Sequence, residues 1–172
     1  MQARAAARAS SYSHCSKALF SSRPSTGGKL PNVPVVFVRF GEIRAWAQID
    51  TGYEDLVYAH SMDINQALFE QLVNSNVELN HIGDIQIFTC EGRETRHVYR
   101  LKDVPLVIET DKGAPVLRVA AFHLILKPPN GCGGIAALST PAAQLGASFL
   151  RTFGTVIFDP TSETVWVEGD RR

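Results

Sequence analysis

The chain has 172 residues, of which 45% are hydrophobic and 20% are charged, and its formal net charge is zero. This is the composition of a globular chain that is long enough to bury a core. No apolar run approaches the roughly 20 residues that span a membrane. A balanced charge gives no reason to expect a nucleic-acid partner. We therefore expect neither a membrane span nor nucleic-acid binding.

The charge is unevenly distributed along the chain. Residues 1–31 hold no acidic residue but five basic ones, Arg4, Arg8, Lys17, Arg23 and Lys29. An acid-free segment rich in Arg, Ala and Ser, without a continuous apolar core, is typical of organelle transit peptides. A disordered tail and a start codon assigned too far upstream are the alternatives. We predict a basic leader over residues 1–31, disordered or transit-like and without a strand pattern, followed by one folded domain over residues 32–172.

The cysteines and histidines show no metal-binding spacing. Cys15, Cys90 and Cys132 are far apart and form no Cys-x-x-Cys pair, and the five histidines are equally scattered. We therefore expect no metal and no other cofactor. An odd number of cysteines without a disulfide framework favours a reducing, intracellular compartment. That compartment is mitochondrial if the leader is a transit peptide.

The first predicted element of the domain is a β-hairpin that ends in a carboxylate. Val33–Phe40 and Ile43–Asp50 are rich in strand-forming residues, and Gly41-Glu42 predicts a type II′-like turn between them. The second strand delivers Asp50 onto the tight turn Asp50-Thr51-Gly52. A carboxylate at the end of a buried strand is costly unless it is hydrogen-bonded or shares a proton. A plain Asp-Thr-Gly surface turn is the alternative.

A helix is predicted next. Leu56-Val57-Tyr58 suggests a short strand before it, and Asp63 is the expected N-cap, with Gln66 as its capping-box partner. The apolar residues of the helix recur on one face, at Ile64, Leu68 and Leu72. We expect the helix to end at residues 74–76.

A long hairpin follows the helix. Ile82–Thr89 and Arg93–Leu101 are its predicted strands, and Cys90-Glu91-Gly92 is the turn, with Gly92 where a positive φ is needed. The surface of this hairpin is of mixed polarity. It is either a structural hairpin or a mobile flap.

The last third of the sequence predicts further strands and a short helix. Val104–Glu109 and Val116–Leu126 are predicted strands, followed by a Pro- and Gly-rich loop. Leu145-Gly146 precedes a short helix closed by Gly154. The final strand pair is Thr155–Phe158 and Thr164–Val167. The whole pattern predicts a mostly β domain with one clear helix and one short one.

This order of elements resembles the retropepsin-like aspartic proteases, the single-lobe family that includes retroviral proteases and their cellular relatives. The resemblance spans Val33 to Val167. It rests on Ile49-Asp50-Thr51-Gly52, on the hairpin closing at Cys90-Glu91-Gly92, and on the stretch from Leu145-Gly146 through Arg151. It implies a closed β-barrel-like lobe with a flap hairpin and one or two short helices.

The resemblance also implies roles for particular residues. Asp50 matches the catalytic aspartate, the Thr51 hydroxyl braces the active-site loops, and Gly52 lets the substrate backbone approach. The tip of the flap and the residue after the Asp-Thr-Gly motif are expected to contact substrate: Tyr53, Thr89, Cys90, Glu91 and Gly92. Tyr53 departs from the family pattern, which has a small residue there, and Ser148 stands where cellular members often have an acid.

The chemistry of the motif predicts the assembly. Peptide hydrolysis without a metal or a covalent nucleophile needs a base to polarise water and an acid to protonate the carbonyl oxygen. Two adjoining carboxylates do both, because their repulsion leaves one shared proton. The chain has one Asp-Thr-Gly motif and is too short for two lobes, so the dyad requires Asp50 from each of two chains. By the resemblance, the strand near Thr164–Val167 forms the dimer interface.

We therefore expect a homodimeric aspartic endopeptidase that acts on a polypeptide. One alternative is a catalytically inactive module of the same fold, used for dimerisation or for peptide binding by β-augmentation. Another is an unrelated small β-barrel with an incidental turn.

Overall fold

The computed structural model describes residues 14–16, 34–58, 60–89, 92–110, 112–131, 134–151, 155–159 and 164–167. It is 51% strand and 14% helix, which confirms a mostly β fold. The strands are β1 (His14–Ser16), β2 (Val35–Phe40), β3 (Ile43–Ile49), β4 (Ser61–Ile64), β5 (Leu79–Thr89), β6 (Gly92–Leu101), β7 (Leu106–Glu109), β8 (Pro115–Val119), β9 (His123–Leu126), β10 (Ala142–Leu145), β11 (Val156–Asp159) and β12 (Thr164–Val167). The helices are α1 (Gln66–Val73), α2 (Ala147–Leu150) and a 3-10 turn at Gly134–Ala137.

Two sheets are formed by the described residues. The larger has nine strands in the order β5-β6-β9-β4-β10-β3-β2-β7-β8, and the smaller has the order β1-β12-β11. The end strands of the larger sheet, β5 and β8, do not pair with each other. The described residues therefore show no closed barrel.

Both predicted hairpins are present. Strands β2 and β3 pair antiparallel from Val35 opposite Gln48 to Phe40 opposite Ile43. Gly41 has a φ of 59°, as the first central residue of a type II′ turn requires. In the long hairpin, β5 and β6 pair up to Thr89 opposite Gly92, and Gly92 has the expected positive φ, 112°. Cys90 and Glu91 lie outside the described residues.

The helix prediction is right, but its predicted N-cap is wrong. Asn65 is the N-cap of α1, and its Oδ1 accepts a hydrogen bond of 3.0 Å from the Leu68 backbone N–H. Asp63 lies instead inside β4 and is buried. Asp and Asn are both good N-cap residues. Asp63 does not cap the helix here because it is paired with Gln144 within the sheet.

Two strand predictions are also corrected. Residues 56–58 form a turn rather than a strand, because the Asp55 carboxylate accepts hydrogen bonds from the backbone N–H groups of Val57 and Tyr58, at 2.7 and 3.2 Å. The single strand predicted over Val116–Leu126 is two strands, β8 and β9. They pair with different neighbours, β8 with β7 and β9 with β4 and β6.

The terminal sheet changes the interpretation of the leader and of the expected interface. Residues His14–Ser16 form a strand, so the expectation that residues 1–31 contain no strand is wrong for these three residues. The other leader residues lie outside the described part of the chain, and so does the predicted helix end at Gly154. Strand β12 lies between β1 and β11, so both of its edges are paired within the chain. A strand-paired dimer would therefore have to use the edge of β1 or β11.

The hydrophobic core lies under the centre of the larger sheet. Buried residues from β2, β3, β4, β9 and β10 pack with Leu68 and Leu72 of α1 and with Phe149 of α2. Helix α1 is thus held by its apolar face, as its periodicity predicts. Within the described residues, neither helix has the length and apolar character needed to cross a bilayer.

Candidate active site

Asp50 lies at the end of β3, on a turn that is fixed from two sides. Its carboxylate accepts a hydrogen bond of 2.9 Å from the Gly52 backbone N–H through Oδ1, and one of 2.8 Å from Gln144 Nε2 through Oδ2. Its own backbone N–H donates to the Leu145 carbonyl, at 2.9 Å. Thr51 and Gly52 are exposed, whereas Asp50 is half-buried. The carboxylate is therefore oriented by two donors at the rim of the sheet.

The Leu145-Gly146 segment and Ala147 contact Tyr53, the residue that follows the turn. The Ala147 backbone N–H donates to the Tyr53 carbonyl at 2.7 Å. A Cβ on Gly146 would lie 2.5 Å from Tyr53 Cδ1 and 2.6 Å from the Tyr53 carbonyl oxygen, so only glycine fits there. Strands β3 and β10 run parallel, which brings the two segments together although they are about a hundred residues apart in sequence.

A row of polar side chains crosses the sheet beside Asp50. Gln48 of β3 pairs with Gln144 of β10, and Gln144 pairs with Asp63 of β4. Residues paired directly across neighbouring strands share one face of the sheet. Gln48 is also two residues before Asp50 and so lies on the same face as the carboxylate. All three members of the polar row are therefore on the side that faces the candidate site.

Asp63 connects this row to the long hairpin. It is 1% exposed, and its carboxylate accepts hydrogen bonds from the Tyr53 hydroxyl at 3.0 Å and from Arg96 at 2.5 Å. Arg96, on β6, is itself 4% exposed and also donates to Glu94 at 2.6 Å. A buried charge is tolerated when it is paired and hydrogen-bonded in this way. Tyr53, Asp63, Arg96 and Glu94 form one polar network, in which Asp63 and Arg96 are buried and the other two are half-buried.

Burial shifts the pKa values of this network. Loss of hydration raises the pKa of Asp63, and the guanidinium of Arg96 and the hydroxyl of Tyr53 oppose the rise. Burial also raises the pKa of Tyr53 strongly, and the nearby Asp63 raises it further. The Tyr53 hydroxyl therefore keeps its proton and acts as the donor to Asp63.

Lys127 brings a second buried cation to the site. It follows β9, is 6% exposed, and has a pKa lowered by burial, an effect that the charge of Asp63 opposes. The Cβ position of Gly134 lies 3.5 Å from Lys127 Nζ, 3.5 Å from Gln144 Oε1 and 4.0 Å from Gln48 Oε1. The three polar groups thus converge on one small space over Gly134. Gln48 Oε1 is buried and has no hydrogen-bond partner among the described residues.

The predicted substrate contacts are only partly brought to this site. Tyr53 is there, with its ring against Gly146 and its hydroxyl on Asp63. Thr89 and Gly92 close the long hairpin, where Thr89 Oγ1 donates to the Gly92 carbonyl at 3.2 Å. Cys90 and Glu91 lie outside the described residues. The hairpin reaches the neighbourhood of Asp50 through the inner face of β6, by way of Arg96.

Sequence reasoning missed several residues of the site. Gln144, Asp63, Arg96 and Lys127 were not assigned to it, because their positions depend on pairing between strands that are distant in sequence. One signal was available for Gln48. The alternation of β3 places it on the same face as Asp50, two residues before the motif carboxylate.

No protein-family model matches the chain, and no curated protein is significantly similar to it. The chemistry available to the site follows from its own geometry. Asp50 offers an oriented carboxylate at an accessible rim, which can accept a proton. Lys127 offers donors, and Gln48 Oε1 offers a buried acceptor. Such a set suits a substrate group that both accepts and donates hydrogen bonds, as a peptide or carboxamide does.

Proposed function

We propose that the protein is an aspartic endopeptidase whose catalytic dyad consists of Asp50 from each of two chains. The observation that supports it best is the fixed turn: the Asp50 carboxylate is oriented by Gln144 and Gly52, and its backbone is bonded to Leu145. Preorganisation of this kind is what a reacting group requires. The proposed lobe is retropepsin-like, with the β5–β6 hairpin as its flap.

The proposed mechanism divides one proton between two carboxyl groups. Placed side by side across a twofold axis, the two Asp50 carboxyls repel each other when both are ionised, so one retains a proton. The ionised one takes a proton from water, which attacks the peptide carbonyl carbon. The protonated one donates its proton to the carbonyl oxygen, which gives a tetrahedral gem-diol. The carboxyl that took the water proton then passes it to the amide nitrogen while the other takes a proton from a gem-diol hydroxyl, so that the C–N bond breaks, acid and amine leave, and the dyad again holds one proton. The exposure of Thr51 and Gly52 leaves the turn accessible to a second chain.

The competing proposal is a non-catalytic peptide-binding module. Its support is the converging set of Gln48, Gln144 and Lys127, which can bind a peptide without any reaction. Tyr53, whose size could have crowded the cleft, gives this alternative little support. Its ring lies against Gly146 and its hydroxyl points to the buried Asp63.

The deciding experiment is a peptide-library digest by wild type and Asp50→Asn from acid to neutral pH. Asp50→Asn keeps the shape and hydrogen-bonding capacity of the side chain but removes the base. We expect cleavage by wild type with a bell-shaped pH dependence, both limbs belonging to the pair of carboxyls. We expect no cleavage by Asp50→Asn and an intact dimer in sedimentation. The matched control is Asp103→Asn, an exposed carboxylate whose positive φ asparagine also tolerates.

Three outcomes would contradict the proposal. Cleavage that survives in Asp50→Asn would show that another group is the catalyst. A wild type that binds peptides without cleaving any, and binds them equally well after the substitution, would identify the module instead. A catalytically active monomer of 18.8 kDa would refute the shared dyad.

A further inference from the structure

Three ligand-type side chains meet on the outer face of the β5–β6 hairpin. His81 Nε2 lies 2.8 Å from Asp84 Oδ1, and His97 Nδ1 lies 2.7 Å from the same oxygen. All three ligand atoms are within 4.8 Å of one another. Each side chain is about half exposed, at 49%, 46% and 53% for His81, Asp84 and His97. An ion can therefore reach the cluster from solvent.

A β-bulge creates this cluster. In a regular strand, residues three apart such as His81 and Asp84 point to opposite faces. Here the register shifts between His81 and Gly83, so that His81 is opposite Tyr99 while Asp84 is opposite His97. The extra residue turns His81 and Asp84 to the same face of the hairpin, the outer face that also carries His97. Bulges often re-aim a side chain in this way.

Gly83 makes the bulge possible. Its φ is 156°, and a Cβ at this position would lie 3.1 Å from the hydroxyl oxygen of Tyr58. A side chain there would meet both backbone strain and a close contact. The three ligands are therefore brought together by a specific backbone feature, the bulge at Gly83, and not only by the length of surface side chains.

We propose that His81, Asp84 and His97 form a binding site for a divalent transition metal ion, with Zn²⁺ as the ion it suits best. Two imidazole nitrogens and one carboxylate oxygen are a common zinc ligand set, and three protein ligands leave a fourth position for water. In a tetrahedral site such atoms are about 3.3 Å apart, given metal–ligand distances of about 2.0–2.2 Å. The two His–Asp distances need to widen by about half an ångström, and the distance between the two imidazole nitrogens, which is within 4.8 Å, needs to reach the same value.

The surroundings favour metal binding. The ring of Tyr99 lies beside both imidazoles, with centroid distances of 5.4 Å to His81 and 6.5 Å to His97, and the two imidazole centroids are 5.5 Å apart. This packing restricts the orientations of the two rings, and a restricted ligand loses less freedom on binding.

The site would join the two strands of the hairpin. Asp84 and His97 are a directly opposed pair, five residues from the last paired residue of each strand at the turn. The cluster lies on the face opposite to Arg96, which faces the interior. A bound ion would therefore stabilise the hairpin without touching the network around Asp50. The proposal does not depend on the peptidase proposal.

The test is a titration of the untagged, full-length, metal-free protein with ZnCl₂ by calorimetry and with CoCl₂ by visible absorption. We expect one ion per chain and an increase in melting temperature with saturating Zn²⁺. In His97→Ala and in Asp84→Ala the affinity should fall by about tenfold or more, because a direct ligand is lost. His123→Ala is the matched control: the His123 ring contacts that of Tyr58 at a tilt of 53°, with centroids 5.0 Å apart, and its removal should leave the affinity unchanged.

A second set of variants keeps the result decisive, since thiols also bind zinc. We expect a variant with Cys15, Cys90 and Cys132 changed to Ser to bind as wild type does. Binding that disappears with the cysteines but survives in His97→Ala and Asp84→Ala would overturn the proposal. Absence of stoichiometric binding by the folded wild type would overturn it as well. His81→Gln provides an independent third ligand deletion if one of the alanine variants fails to fold by circular dichroism.

Discussion

The Asp63–Arg96 pair is the most direct test of the buried network. Arg96→Leu removes a guanidinium that is 5% exposed and leaves the Asp63 carboxylate, 2% exposed, with the Tyr53 hydroxyl as its remaining close donor. Breaking a buried ion pair on one side costs about 3–5 kcal/mol, because the other charge stays buried without compensation. That is a large part of the roughly 5–15 kcal/mol by which a domain is stable. We therefore expect Arg96→Leu to lower the urea midpoint severely.

The double variant Asp63→Leu/Arg96→Leu distinguishes the pair from simple loss of packing. Replacing both charges by apolar side chains should recover part of the loss, because the buried Asp63 carboxylate is then no longer left without its closest cation, although Glu94 and Lys127 also lose a partner. The matched control is Lys102→Met, which breaks an exposed pair with Glu78, joined at 3.0 Å, and should leave the midpoint unchanged. A loss in Arg96→Leu no larger than that in Lys102→Met would refute the network. So would a double variant less stable than Arg96→Leu.

Two further predictions concern Tyr53 and its neighbour. Gly146→Ala should cost about 1–3 kcal/mol in urea unfolding, because its Cβ would overlap the Tyr53 ring and carbonyl; an unchanged midpoint would contradict this. Because burial raises the folded-state pKa of Tyr53, the unfolded chain loses the phenol proton first. The protonated Tyr53 phenol therefore makes its full contribution to the free energy of unfolding below about pH 10, the ordinary pKa of tyrosine, and this contribution is lost as the pH rises above it. The unfolding free energy should fall less steeply above this pH in Tyr53→Phe than in wild type, and equal slopes would refute the prediction.

The elements that the sequence predicted well are those with local causes. The β2–β3 hairpin follows from strand-forming residues on both sides of Gly41. The helix follows from the spacing of Leu68 and Leu72, both of which are buried. The long hairpin follows from its glycine turn at Gly92. Each of these signals lies within a dozen residues, so no distant contact was needed to read it.

The site required information that local patterns do not carry. Asp63 was a plausible N-cap by sequence, and only its pairing with Gln144 and its contact with Arg96 place it in a buried strand. Lys127 reaches the polar row because β9 pairs parallel with β4. The cluster of His81, Asp84 and His97 could be predicted in part from the sequence. A hairpin closed by Thr89 opposite Gly92 puts Asp84 opposite His97, whereas the bulge that adds His81 shows no sequence signal beyond Gly83.

Tyr53 links the candidate site to the long hairpin through its hydroxyl group. A tyrosine in this position needs an acceptor for its buried hydroxyl, and Asp63 supplies one. Asp63 in turn needs a cation, which Arg96 supplies from β6. The turn that carries Asp50 is therefore connected through Tyr53 and Asp63 to the inner face of the hairpin. Because each member compensates the next, the proposed flap and the proposed catalytic turn are held by one network, and a change in Arg96 should be felt at Asp50.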